Sequence, residues 1–235
     1  WRVEPVRRMG RVQCGKALAA NAPGELRPYL RVANVLDGRI DASSVHTMPF
    51  TDEEFEGFRL REGDVLLNEG QSLELVGRAA LYRGSPEGCA FQNSLIRVQA
   101  YEHALPQYLE LLFRHAQASG IFATIATQTT SIAHLGVGRL ADLMLVLPPL
   151  DEQRAVVRFL THFERSLRAY IAMRRRLITL LEDEKRAIIG LAVTHGLNPG
   201  VELKDSGVPW LGNIPSHWRV EPVRRMGRVQ CGKAL

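Results

Sequence analysis

Three short stretches of this 235-residue chain concentrate side chains that can donate and accept hydrogen bonds against a planar partner. Asn68, Gln71 and Ser72 follow an apolar run; Gln92, Asn93 and Ser94 follow a turn; Gln128, Thr129, Thr130 and Ser131 precede His134. A carboxamide presents a donor beside an acceptor, the arrangement that meets the edge of a base, while Arg and Lys meet guanine or phosphate. Lys16, Arg31, Arg78 and Arg139 adjoin these stretches and are the cations expected to make such contacts. Each residue also has an ordinary structural use, because Asn, Ser and Thr cap turns and a lone cation is a solvated charge. Singly they decide nothing; as a set they favour a reader of nucleic acid.

Catalysis finds less to work with. His46, His103, His115, His162 and His195 share no metal-ligand spacing, nor do Cys14, Cys89 and Cys231, so neither metal nor cofactor is expected. The alternative of a DNA methyltransferase fragment needs a glycine-rich loop after a strand and, for amino-group methylation, Asn or Asp before a Pro-Pro-aromatic turn. The Pro-Pro pair lies between Leu147 and Leu150, and Gly136 to Gly138 is too short and too close to a helix start to hold a cofactor. With no paired-carboxylate nuclease signature either, the chain is expected not to be an enzyme. Its net charge of +5 and pI near 9.4 favour a polyanionic partner, though weakly. No stretch approaches the roughly twenty apolar residues of a membrane helix, and Trp1 starts no signal peptide. Sparse, odd-numbered cysteines suit reduced thiols, so a cytoplasmic location without membrane is expected.

The elements that must position these side chains fall into four segments. An α/β domain is expected over 1–148, with short strands at Asp64 to Asn68 and Ala79 to Tyr82 and helices at Leu105 to Ala118 and Ile121 to Thr127. A long helix follows over 149–196, opened by Pro148, Pro149 and Asp151. From Asp151 to Thr194 it has no proline and one glycine, Gly190, and would span about 66 Å at 1.5 Å per residue. Val156, Leu160, Phe163, Leu167, Tyr170, Leu177, Leu181, Ile188 and Leu191 recur in steps of three and four, interrupted by Arg174 and Glu184, as in the seam of a coiled coil. The run Arg174 to Arg176 either faces DNA or is solvated helix surface. A linker and turn region over 197–217 contains Trp210, expected to anchor a turn against the helix. The last segment, 218–235, repeats Trp1 to Leu18 without a change, so a new copy of a 217-residue unit begins there. Only one copy, with Arg7, Arg8 and Arg11 or with Arg224, Arg225 and Arg228, can fill a given place; the other is loosely held or swapped onto a partner.

Leu147 to Gln153 (LPPLDEQ) opening a long helix, followed by Ser206 to Trp218 (SGVPWLGNIPSHW), resembles the specificity subunits of type I restriction–modification enzymes over nearly the whole chain. Tyr29 to Val35, Asp64 to Ser72 and Gln128 to Gly138 resemble one subgroup of that family's target-recognition domains. The resemblance implies an α/β (α+β) target-recognition domain over 1–148 and a helix that pairs as an antiparallel coiled coil. It also implies binding to double-stranded DNA and docking onto methyltransferase subunits and, in the full complex, restriction subunits. This chain has one such domain and one helix where the family pattern has two of each, so a homodimer reading a two-fold symmetric, split target is expected. A coiled-coil adaptor that binds protein without reading DNA remains the non-enzymatic alternative.

Overall fold

The computed structural model describes residues 1–17, 22–128, 132–228 and 230–232. It divides into two compact units, Trp1–Phe163 and Glu164–Leu235. At the centre of the first is a four-stranded antiparallel sheet in the order Gly10–Cys14, Leu95–Ala100, Val65–Asn68, Ala79–Leu81. Val65–Asn68 is buried along its whole length, which is why its sequence is a continuous apolar run instead of an alternation. Successive side chains point to opposite faces. Val65, Leu67, Ile96, Val98, Ala79 and Leu81 enter one core, and Leu66, Leu95 and Ala80 enter another.

The first core is covered by the Pro106–Ala118 helix through Leu109, Phe113 and Ala116, and by Phe122 of the Ile121–Ile125 helix. Val6 and Met9 complete it from the N-terminal segment, whose Arg2–Pro5 strand pairs antiparallel with Met144–Leu147. The second core holds Leu30, Val35, Leu60, Tyr82, Cys89 and Phe91. Beyond it a three-stranded sheet places Glu25–Leu30 between Ala90–Phe91, parallel, and His46–Phe50, antiparallel. The short Asp52–Phe58 helix closes this layer, started by a reciprocal cap between Thr51 and Glu54. The expected elements at 64–68, 79–82 and 105–118 lie within a residue or so of those observed. The expected helix from Ile121 stops at Ile125, and Thr127–Gln128 is extended.

The long helix runs unbroken from Leu150 to His195. Asp151 and Glu152 in its first turn and His195 in its last complement its dipole, and Gly196, at φ +79°, ends it. Its start is fixed by Gln153, which is fully buried. The side-chain Oε1 accepts the Leu105 N–H at 2.7 Å, and Nε2 donates to the His103 and Pro148 carbonyls at 3.0 and 2.8 Å. Val156 and Val157 then pack on the first core. From Phe163 onward the seam positions Phe163, Leu167, Tyr170, Leu177, Leu181, Ile188 and Leu191 are exposed.

In the second unit Leu203–Asp205 pairs with Asn213–Pro215. Trp210 is a correction: it is 83% exposed and anchors nothing. The ring of Trp218 instead lies against Gly196, and Ile214 is the buried residue of the hairpin.

Gln153→Leu keeps the volume but strands the Leu105 N–H and two carbonyls in a buried place. An unsatisfied buried group costs about 1–3 kcal/mol, so urea denaturation is expected to show a loss of about 2–4 kcal/mol.

Candidate nucleic-acid interface

The antiparallel order of the central sheet determines what meets at its ends. Cys14 pairs with Ile96, Leu95 with Asn68, and Ala79 with Leu67. The residues after Cys14, the residues after Asn68, the residue before Ala79 and the residues before Leu95 therefore emerge at one end. This collects Lys16, Glu69 to Ser72, Arg78 and Gln92 to Ser94, which are scattered over some eighty positions of sequence.

Glu69 joins these to the third polar stretch. Its backbone N–H donates to the Ser94 carbonyl at 2.9 Å, its carbonyl accepts the Leu135 N–H at 2.8 Å, and its carboxylate meets Nδ1 of His134 at 3.1 Å. Beside it Ala133–His134 is the middle strand of a small antiparallel sheet, flanked by Gly70–Gln71 and Thr127–Gln128. Directly paired residues share a face. Gln71, Ala133 and Gln128 thus form one row, and Gly70, His134 and Thr127 the next. Ser72 is exposed at the start of a turn in which its carbonyl accepts the Leu75 and Val76 N–H groups. The turn closes at Gly77, whose φ is +76° and where a Cβ would stand 2.1 Å from the Phe122 ring, so this loop is held against the core.

The expected contact residues divide by what already holds them. Gln71, Ser72, Gln128, His134 and Arg78 are brought together around Glu69. Asn93 is exposed beside them, with Ser94 donating to the Gln92 carboxamide at 3.3 Å. Arg31 is reached through the bond from Val32 N–H to Ser94 Oγ, and its guanidinium lies 3.0 Å from Nε2 of His46. Arg139 is exposed, yet Nε and Nη2 donate to the Leu135 and His134 carbonyls at 3.0 Å, pinning the strand to the helix that follows. Asn68 is buried and donates to the Val35 carbonyl at 3.3 Å. Lys16 is buried as well, its ammonium 2.8 Å from the Pro49 carbonyl and 2.5 Å from Glu54, over the Phe50 ring. Thr129, Thr130 and Ser131 lie outside the described residues.

Two positions carry no signal in the sequence. Glu69 is an acid among amides, and its role arises from partners 25 and 65 positions away. Arg97 crosses the sheet to donate to Gln13 at 2.6 Å and to the Gly57 and Arg59 carbonyls at 3.0 and 2.9 Å. Burial pulls its guanidinium below its ordinary value, while Asp64 alongside opposes that. Burial, reinforced by the charge of Glu69, pushes the Cys14 thiol up. No group of three or more His, Cys, Asp or Glu among the described residues could hold a metal ion, and no described helix is long and apolar enough to cross a membrane.

Residues 9–174 match the model of the type I restriction modification DNA specificity domain, and the chain belongs to that family. It is 27% identical over 195 residues to the putative MjaX type I restriction enzyme specificity subunit of Methanocaldococcus jannaschii, covering 82% of this chain and 44% of that protein. It is 26% identical over 146 residues to the EcoKI specificity subunit of Escherichia coli, covering 61% and 32%. Among solved structures, a chain of a type I R-M system superposes with a TM-score of 0.61 at 18% identity, over 84% of this chain and 46% of that one. The HsdS subunit of Thermoanaerobacter tengcongensis does so with a TM-score of 0.59 at 19% identity, over 88% and 52%. The chain therefore spans less than half the length of these sequence relatives and about half of the solved chains.

The contacts of Lys16 are all internal to the fold. Hydrogen bonds from Lys16, then from the Thr51 N–H, hold the Glu54 carboxyl below its ordinary value. That contribution is in place above the ordinary carboxylate range and is lost as pH falls through the depressed value of the folded state. Lys16→Met is expected to lower stability by about 1–3 kcal/mol at neutral pH and to flatten the acid limb of the pH–stability profile, both read by urea denaturation across pH.

Proposed function

We propose that this chain reads one half of a split DNA target through the polar surface gathered around Glu69, and performs no chemistry on it. The observation that carries the reading is the meeting, at one end of the central sheet, of three polar stretches distant in sequence, in a chain of the DNA specificity family. Gln71, Gln128 and Asn93 offer carboxamides to base edges, and Ser72 supports them. His134, with Nδ1 turned to Glu69, has Nε2 left for a base or phosphate. Arg78, Arg31 and the remaining N–H groups of Arg139 neutralise phosphate. Thr129, Thr130 and Ser131 contribute hydroxyls to the same task. Lys16, Asn68 and Gln92 act one step behind, by shaping the turns that carry the reading side chains.

The partner of the exposed helix seam is a second copy of this chain, paired antiparallel. The seam positions from Phe163 to Leu191 stay apolar and exposed along the helix, as a pairing surface requires. Isologous pairing imposes identical half-sites on the target. Arg174 at a seam position lies over the Tyr170 ring and donates to its hydroxyl at 2.8 Å, which keeps the charge satisfied at the joint. Methyltransferase subunits, and restriction subunits in the larger assembly, dock on such a dimer.

Binding to random duplex DNA is expected to weaken linearly in log–log salt titrations, by about 0.9 per phosphate neutralised. Arg78→Ala should reduce that slope by about one and weaken all sequences alike. Gln71→Ala and Gln128→Ala should instead relax selection from a random duplex library, by about 1–3 kcal/mol for each bidentate pairing with a base that the truncation abolishes. Binding that ignores salt, or reaches protein alone, would sink the reading in favour of an adaptor. Light scattering should give a dimer that Leu167→Glu with Leu177→Glu converts to monomer, both side chains being exposed already within one chain.

A further inference from the structure

Glu69 sits where a carboxylate is least expected. A surface that meets phosphate gains from cations and amides, and an acid at its centre repels the polyanion. The backbone bonds of Glu69, from its N–H to the Ser94 carbonyl and from the Leu135 N–H to its carbonyl, would form with any residue other than proline at this position. The side chain therefore needs a reason of its own, and its Oε2 lies 3.1 Å from Nδ1 of His134. The Glu69 side chain is 20% exposed and that of His134 43%, so the acid is mostly covered while the ring still reaches the surface.

The ring is held in place as well as bonded. His134 pairs with Gly70 on one side and Thr127 on the other, and a Cβ at Gly70 would stand 3.3 Å from both Cε1 and Nδ1 of the imidazole. Glycine leaves the room in which the ring lies across the strand pair. The His134 carbonyl is fixed in turn by Nη2 of Arg139 at 3.0 Å. An ionised carboxylate can only accept, so Nδ1 carries the proton in the bond to Glu69. In a neutral ring the tautomer is then decided, and Nε2 is a bare acceptor. Such an atom is repelled by phosphate and by the acceptor atoms of guanine and thymine; its partners in the major groove are the exocyclic amino groups of adenine and cytosine.

We propose that Glu69 is a positioning residue that acts through His134: it holds the Nδ1–H of a neutral imidazole, so that Nε2 accepts a hydrogen bond from the exocyclic amino group of one base in the half-site. This rests on the reading above that the polar surface meets DNA, and adds to it the class of base, adenine or cytosine, at one position. The neighbouring carboxamides of Gln71, Gln128 and Asn93 carry a donor and an acceptor together and can turn over to suit either kind of edge. An imidazole whose tautomer is fixed cannot, so His134 supplies discrimination where the amides supply fit.

The test uses the full chain, a random duplex library and nitrogen-15 labelling of histidine. Selection by the wild type should show adenine or cytosine at one position, which His134→Ala leaves unselected while the other positions are retained. Glu69→Gln keeps both backbone bonds and offers His134 either a donor or an acceptor, so it should relax the same position by about tenfold. Added to His134→Ala, it should change nothing further. Removing the amino group from the selected duplex, with purine for adenine or pyrimidin-2-one for cytosine, should weaken the wild type about tenfold and His134→Ala not at all. Nitrogen spectra of the wild-type complex should show His134 protonated on Nδ1 alone, and those of Glu69→Gln a mixture of tautomers. A proton on Nε2 in the wild-type complex, as the other tautomer or as imidazolium, overturns the proposal, as does an equal effect of Glu69→Gln with and without His134. Wild-type selection that His134→Ala leaves intact overturns it and leaves the DNA-reading surface standing. A wild type that selects no sequence from the library overturns that surface itself, and the positioning role with it.

Discussion

Burial of the central sheet on both faces is the constraint from which the rest of the first unit follows. Val65–Asn68 and most of Leu95–Ala100 have no exposed face, so each face demands its own cover, and the chain supplies helices on one side and a second sheet on the other. Polar side chains are thereby expelled from the strands and appear at their ends. Because neighbours run antiparallel, the exits after Cys14 and Asn68 coincide with the entries to Ala79 and Leu95. A polar surface at one end of the sheet is the consequence of a two-sided core, and its residues need no proximity in sequence. A buried exception inside the sheet, Arg97, shows the cost of departing from this rule, since Gln13, Asp64 and two backbone carbonyls are engaged in satisfying it.

What can be read from the sequence follows from the range of the interactions involved. The long helix is legible nearly to the residue, because its signals are local: a 3.6-residue period, no proline, and a glycine at the end. The strands at Val65 and Ala79 are legible as apolar runs between turn residues. Their partners are not, since strand order depends on which faces bury together. The polar stretches stand out by residue type, but their convergence does not, because Glu69 reaches Ser94 and His134 only after the sheet has formed. Residue type also misleads locally at Trp210, where a large aromatic in a turn suggests an anchor and the burial goes to Ile214.

Lys16 and Asn68 illustrate why chemistry-bearing types are an imperfect guide to a site. A lysine whose ammonium meets a carbonyl, a carboxylate and an aromatic face is fully occupied inside the protein. An amide whose donor closes on the Val35 carbonyl serves the turn it begins. Residues that shape a loop and residues that read through it are drawn from the same polar types, and they sit a few positions apart, as Asn68 and Gln71 do. Burial separates them, and burial is a property of the assembled sheet.

The duplicated terminus makes the same point with sequence held constant. Pro5 and Pro222 set the same entry, and Gly10 and Gly227 the same exit, so the turn is written locally and forms in both places. Whether Val and Met in that turn are buried depends on the edge of Met144–Leu147 and the core behind it. Burial of a large apolar side chain is worth on the order of 1.5–3 kcal/mol, so the tertiary slot, and not the local turn, holds Val6 and Met9 in place.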